Sequence, residues 1–239
     1  MAKNKIDIIF EDNDIVVINK PSGMLTISDR KNNESLKEIL SRKYGNIFTV
    51  HRLDRDTSGI VLFAKNESSH RFFSMLFEKR KVQKFYTGVV VGDPGIDEGK
   101  IEASISEHPF QKGKMIVNKN GKPSLTTFRV LQHFPAYSLI EYNLHTGRTH
   151  QIRVHSKNIG HPIACDPLYG EDKPVFLSAI KKNYKLSNNE ESERPVLQRL
   201  ALHSSKLIIE IPSGEIKTFE APLPKDFSAL MIQQAKYKK

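Results

Sequence analysis

The sequence predicts an α+β fold built on one hydrophobic core. Three observations carry that reading: β-branched runs that pair as hairpins near both ends, a strand-rich middle third, and segments of helical periodicity set between them. At 239 residues the chain can bury a core without staples, so a single domain over 1–239 is expected.

Taken in order, Ile6-Asp7-Ile8-Ile9-Phe10 and Ile15-Val16-Val17-Ile18-Asn19 flank the acidic tetrad Glu11-Asp12-Asn13-Asp14 and read as a hairpin. Lys20-Pro21-Ser22-Gly23 ends the second strand, because proline has no N–H for a ladder and glycine allows positive φ. Across 33–44, Leu36, Ile39, Leu40 and Tyr44 fall at helical spacing, with Gly45 as the C-terminal cap. Val50 leads into a charged cluster, His51-Arg52-Leu53-Asp54-Arg55-Asp56-Thr57-Ser58-Gly59, and the apolar run 60–64 behind it reads as a buried strand. Asn66 then caps a helix with an apolar stripe of Phe73, Leu76 and Phe77. Its basic tail, Lys79-Arg80-Lys81 with Lys84 just beyond, complements the helix dipole or faces a partner.

Strands follow at 85–91, 101–105, 125–131 and 137–144, the last two close enough for an antiparallel connection. A second charged cluster, Thr146-Gly147-Arg148-Thr149-His150-Gln151-Ile152-Arg153-Val154-His155, reads as a helix through Ile159, stopped by Gly160 and Pro162. Four-residue spacing sets Thr149 beside Arg153 and Gln151 beside His155. Residues 181–195 are strongly polar and read as a mobile surface segment. A last hairpin over 200–211 and 215–220 precedes a terminal helix from about Asp226.

Lys and Arg total 37 against 27 Asp and Glu, a formal charge of +10 that suits a polyanionic partner such as RNA or DNA. The lone cysteine, Cys165, permits no intrachain disulfide and no cysteine metal clasp. The N-terminus lacks the apolar core of a signal peptide, and no apolar run approaches the ~20 residues that span a bilayer. A soluble, cytoplasmic, metal-free protein is expected.

Four readings compete for the Asp54 cluster. A metal site is opposed by the fixed charges of Arg52 and Arg55, and a glycosidase needs a second carboxylic acid at a set distance. A structural ion-pair cluster is the plain alternative, and a lone nucleophilic carboxylate held by arginines is the fourth. His150 and His155 are five residues apart, which does not put both on one metal from one helix. His51 is read as positioning rather than transferring protons.

The same motifs, taken together, resemble a known family. Asn19-Lys20-Pro21-Ser22-Gly23, the His51 to Gly59 cluster, Lys84-Phe85-Tyr86, the Thr146 to His155 cluster, His161-Pro162-Ile163 and Asp166-Pro167-Leu168-Tyr169-Gly170 are similar, in this order, to the RluA-type pseudouridine synthases. The resemblance spans about residues 8 to 220. It implies a bent, mixed, mainly antiparallel sheet flanked by helices and loops around a central cleft. It implies isomerisation of uridine in RNA, with no cofactor and no metal; ribosomal or transfer RNA is the expected substrate and a monomer the expected state. Asp54 aligns with the family's nucleophile, Tyr86 with the tyrosine that stacks on the base, and Arg153 with the basic partner of the aspartate. Arg52, Arg148, His51, Lys84 and Gln151 are the candidate RNA contacts. Cys165 stands where glycine is common in the family, so a differently shaped turn is expected there. No room is expected before Ile8 for the small RNA-binding domain of the S4 type. The competing reading is a non-catalytic basic RNA-binding or folding factor on the same scaffold.

Overall fold

A computed structural model describes residues 6–29, 34–186 and 192–237. The chain runs β1 (Asp7–Glu11), β2 (Ile15–Lys20), α1 (Leu36–Tyr44), β3 (Phe48–Thr49), β4 (Ser58–Ala64), α2 (Glu67–Glu78), β5 (Gln83–Val91), β6 (Glu98–Glu102), β7 (Ile105–Glu107), β8 (Met115–Val117), β9 (Leu125–Gln132), β10 (Tyr137–Leu144), α3 (Gln151–Asn158), β11 (Leu202–Glu210), β12 (Ile216–Glu220) and α4 (Lys225–Tyr237). The architecture is α+β, with mixed, mostly antiparallel strand pairing and four α-helices among the described residues. The chain divides into two compact units, Met1–Tyr86 with His203–Pro222, and Thr87–Leu202 with Leu223–Lys239.

In the first unit, β2 lies between β1 and β4 with both pairings antiparallel, Ile15 opposite Ala64 and Lys20 opposite Gly59. All seven residues of β4 are buried, as an uninterrupted apolar run requires. On its other edge β11 pairs in parallel, His203 opposite Ser58 and Ser204 opposite Gly59, and β12 returns antiparallel along β11. Ile15, Val17, Ile60, Leu62, Phe73 and Leu207 are among the residues that fill this unit's core. Asn66 caps α2 as the sequence predicts, its side chain accepting from the Ser69 amide at 2.9 Å. Helix α1 starts with a capping box of Ser35 and Glu38 and ends at Gly45, whose φ is 74°. The predicted start of this helix at Asn33, part of the 181–195 segment and the chain's two ends lie outside the described residues.

The basic tail assigned to α2 is not helical. The helix stops at Glu78, Lys79 is its C-cap, and Arg80 takes a left-handed φ of 57°, so the basic residues form the turn into β5.

In the second unit β10 pairs with β9 and β9 with β6, all antiparallel, while β7 and β8 form a separate two-stranded ribbon. The single strand predicted at 101–105 is therefore two. Glu102 ends β6 on β9, Ala103 donates to the Ser124 carbonyl, and Ile105 opens β7 on β8. Helix α3 begins one turn later than its pattern suggests, because His150 sits in the left-handed region at φ 55°. Thr149 consequently lies outside the helix and is exposed, so its predicted place beside Arg153 on a helix face does not form.

Candidate active site

Asp54 sits in a turn closed by the Thr57 amide, which donates to the Asp54 carbonyl at 3.2 Å. A neighbouring loop holds that turn from beneath. Lys20 is fully buried, and its ammonium donates to the carbonyls of Pro21 (3.0 Å), Met24 (2.8 Å) and Arg55 (2.9 Å). The Gly23 amide also donates to Arg55 O, Ser22 Oγ donates to Asp56 O, and Thr26 Oγ1 both donates to Leu53 O and accepts from Leu53 N. Leu53, Arg55 and Asp56 are thus each tied by a backbone group to the 20–26 loop. A buried ammonium shared among carbonyls satisfies charge and acceptors at once, which is how a loop of this polarity stays ordered.

Behind the turn, strand β4 meets β11 closely enough that only glycine fits at 59. A Cβ there would lie 2.2 Å from the Ser204 carbonyl oxygen, and Gly59 has φ 108°. Ser58 Oγ and His203 Nδ1 are hydrogen-bonded at 2.9 Å alongside this contact. Ser204 in turn hydrogen-bonds the Tyr86 side chain. Burial, and then the negative charge of Asp54, push the Tyr86 phenol well above its ordinary value, while the Ser204 hydrogen bond works in the opposite direction. The phenol is therefore protonated at neutral pH, close enough to Asp54 for their charges to interact.

The remaining first-unit candidates take different places. His51 is committed internally: Nε2 accepts the Leu62 amide at 3.0 Å, and the ring stacks on Phe77 at 4.5 Å. Burial, and then the Lys84 charge, lower its pKa to about 3, so the ring is neutral. Part of the residue remains accessible, but its accepting nitrogen and one ring face are both used. Lys84 is half-buried, its pKa lowered by burial and by Arg80. Arg52 is exposed.

In the second unit Arg153 is buried and makes a bidentate pair with Asp166, Nε to Oδ2 and Nη2 to Oδ1, both at 2.8 Å. Asp166 Oδ1 also accepts from the amides of Leu168 and Tyr169, so the carboxylate is satisfied inside its own loop. The Arg153 guanidinium lies 5.0 Å from the Tyr169 ring centroid. Gln151, predicted as an RNA contact, is buried, with both ends of its amide used. Its oxygen accepts from Thr146 Oγ1 and Arg148 N, and its nitrogen donates to Leu125 O and Thr126 Oγ1. Its work is to hold the 146–148 turn that presents Arg148, a half-buried residue whose Nε reaches Pro123 O at 3.4 Å. His155 is a buried structural residue, bonded through its two nitrogens to Thr126, Ser124 and Ala103. Cys165 takes φ 55°, the left-handed conformation for which glycine is the ordinary residue, so the turn keeps a glycine's backbone geometry with a thiol on it.

Lys20, Ser204 and Asp166 are the positioning residues that sequence reasoning left without a role. Lys20 and Asp166 both lie in motifs that carry the family resemblance, and the available signal was that each is a charged residue directly before a proline. Nothing local marks Ser204. Among the described residues no group of three side chains is arranged to hold a metal ion, and no helix is long and apolar enough to cross a membrane.

The family model described as RNA pseudouridylate synthase matches residues 14–158. Ribosomal large subunit pseudouridine synthase D of Nitrosomonas europaea is 36% identical over 236 residues, covering 95% of this chain and 64% of that protein. The protein of the same name from Buchnera aphidicola subsp. Acyrthosiphon pisum is 35% identical over 236 residues, covering 95% of this chain and 73% of that one. The chain thus spans under two thirds of the length of the Nitrosomonas relative. The solved structure of human RNA pseudouridylate synthase domain containing 4 superposes with a TM-score of 0.73 at 26% identity, covering 96% of this chain and 93% of that one.

Proposed function

Since the chain belongs to the RNA pseudouridylate synthase family, we propose that it isomerises uridine to pseudouridine in RNA, with Asp54 as the nucleophile. The relatives' name makes ribosomal large subunit RNA the first substrate to test, ahead of transfer RNA. The single observation that carries the reading is the Asp54 turn. One carboxylate is presented at the end of a backbone brace built on a buried lysine, with a buried, protonated phenol beside it.

The chemistry asks for those parts. The N1–C1′ bond breaks, the base turns, a C5–C1′ bond forms, C5 gives up its hydrogen and N1 gains one. A carboxylate attacks or stabilises charge at C1′ or C6, and Asp54 is the residue proposed for that role. Uridine inside folded RNA has to be flipped out to be reached, at a cost of a few kcal/mol. The Tyr86 ring returns ~1–3 kcal/mol by stacking on the flipped base. The family resemblance assigns Arg153 as the basic partner of Asp54, and within its own unit the Asp166 pair fixes the guanidinium's orientation. Arg52, Arg148 and Lys84 are proposed to engage phosphate, and the +10 charge supports general attraction to RNA. His51 and Gln151 serve by positioning these groups.

The test is release of the C5 hydrogen from ribosomal RNA carrying C5-labelled uridine. Label release with the base still attached to the chain is the expected result. Free uracil as product would replace the proposal with a hydrolase, and RNA binding with no label release would leave the RNA-binding factor.

A further inference from the structure

The ribbon of β7 and β8 carries the most exposed large apolar side chain among the described residues, Phe110, at 91% exposure. An accessible phenyl on a frayed loop would be unremarkable. This loop is built. The amides of Phe110 and Gln111 both donate to His108 Nδ1 at 3.1 Å, the His108 amide donates to Lys114 O, and the Lys114 amide returns to Gln111 O. The Gly113 amide, at φ 80°, is capped by Glu107 Oε1 at 2.8 Å. The foot of the ribbon is fixed as well. Met115 N donates to Tyr169 Oη at 2.7 Å, and Ile105, Val154 and Tyr169 form a small apolar core beneath it. Tyr169 is the ring under the Arg153 guanidinium, so within this unit Phe110 is held at a set place relative to the proposed catalytic arginine.

Charge identifies the partner. Lys112, Lys119 and Lys122 are exposed around the ribbon, and Lys114 stands beside them. None of the four has a carboxylate partner among the described residues, while the one acid, Glu107, is used in capping Gly113. A rigid phenyl ring amid unpaired ammonium groups is suited to a polyanion that also offers flat apolar faces. Single-stranded nucleic acid has both properties. We infer that Phe110 is a stacking platform for an unpaired RNA base, with the ribbon's lysines on the adjoining phosphates. The inference rests on the RNA reading above and adds a second base contact to that of Tyr86.

The chain contains no tryptophan, so Phe110→Trp in the full-length protein gives a single indole at the platform. The probe is a single-stranded RNA of mixed sequence, with a fully paired RNA hairpin and inorganic polyphosphate as controls. The expected result is quenching of the indole by the single strand alone, and a drop in single-strand affinity of about 10-fold for Phe110→Ala, the size of one base-to-ring stack. The slope of affinity against salt stays unchanged in Phe110→Ala and falls in Lys112→Ala/Lys122→Ala, because only the lysines displace counterions. Unchanged affinity for Phe110→Ala, equal quenching by polyphosphate, or quenching that follows protein concentration without RNA overturns the inference; the last would indicate self-association. Label release from uridine is read separately. Isomerisation without an indole signal defeats the platform alone, and an indole signal without isomerisation defeats the catalytic reading alone.

Discussion

Replacing Lys20 with methionine keeps the length of the side chain and removes its charge and three donors. The carbonyls of Pro21, Met24 and Arg55 then lose a buried partner. Hydrogen bonds to a charged group contribute about 1.5–3 kcal/mol each after exchange with water, and three on one ammonium add to less than their sum. The net loss is about 2–4 kcal/mol, and at ~2–4 °C per kcal/mol for a chain of this size Tm should fall by ~5–15 °C. The Arg55 carbonyl belongs to the turn that carries Asp54, so activity should suffer separately from stability. A displacement of about 1 Å at a reacting group costs ~10²-fold. Thermal unfolding followed by circular dichroism gives the first quantity, and C5-hydrogen release well below the variant's own Tm gives the second. A Tm within about 2 °C of wild type together with activity within ~3-fold would refute the brace.

Three further outcomes follow from the geometry. Gly59→Ala forces a Cβ against the Ser204 carbonyl in a strained backbone conformation and should cost at least ~3 kcal/mol, read from the urea midpoint; a cost below ~1 kcal/mol contradicts the close approach of β4 and β11. Asp166→Asn leaves the buried Arg153 guanidinium opposite a neutral amide and should cost ~3–5 kcal/mol, with an unchanged urea midpoint as the contrary result. His51 is a base whose folded pKa, about 3, lies below its ordinary 6.5, so the unfolded chain binds the extra proton. Its contribution to stability is present above pH 6.5 and is lost as pH falls from 6.5 toward 3, by up to ~1.4 kcal/mol per pH unit. His51→Phe keeps the stack on Phe77 and should flatten that slope; an unaltered slope assigns the acid sensitivity to other groups.

Much of this architecture was legible because the signals are local. Asn66 as a cap, Gly45 as a helix end and the uninterrupted apolar run of β4 each declare themselves within a few residues. Other features depend on partners distant in sequence. The 101–105 run reads as one strand because its break comes from competing neighbours, β9 on one side and β8 on the other, and neither is visible locally. Thr149 fits a helical pattern that the left-handed backbone of His150 overrides. At the candidate site the sequence indicates which charged residues cluster, but not which of them are consumed by the fold. Lys20 reads only as the end of a strand, and its role appears once Arg55 O, thirty-five residues on, is seen to accept from it. Gln151 reads as a ligand until its amide is seen to be fully used.

The central claim is that the brace and the phenol exist to present one ionised carboxylate. Asp54→Asn changes that charge with almost no change in shape, so C5-hydrogen release from ribosomal RNA, measured alongside RNA affinity and Tm, tests it most directly. The account predicts a rate lower by ~10³-fold or more, as when a covalent nucleophile is removed, with affinity and Tm close to wild type. Label release near the wild-type rate would contradict it.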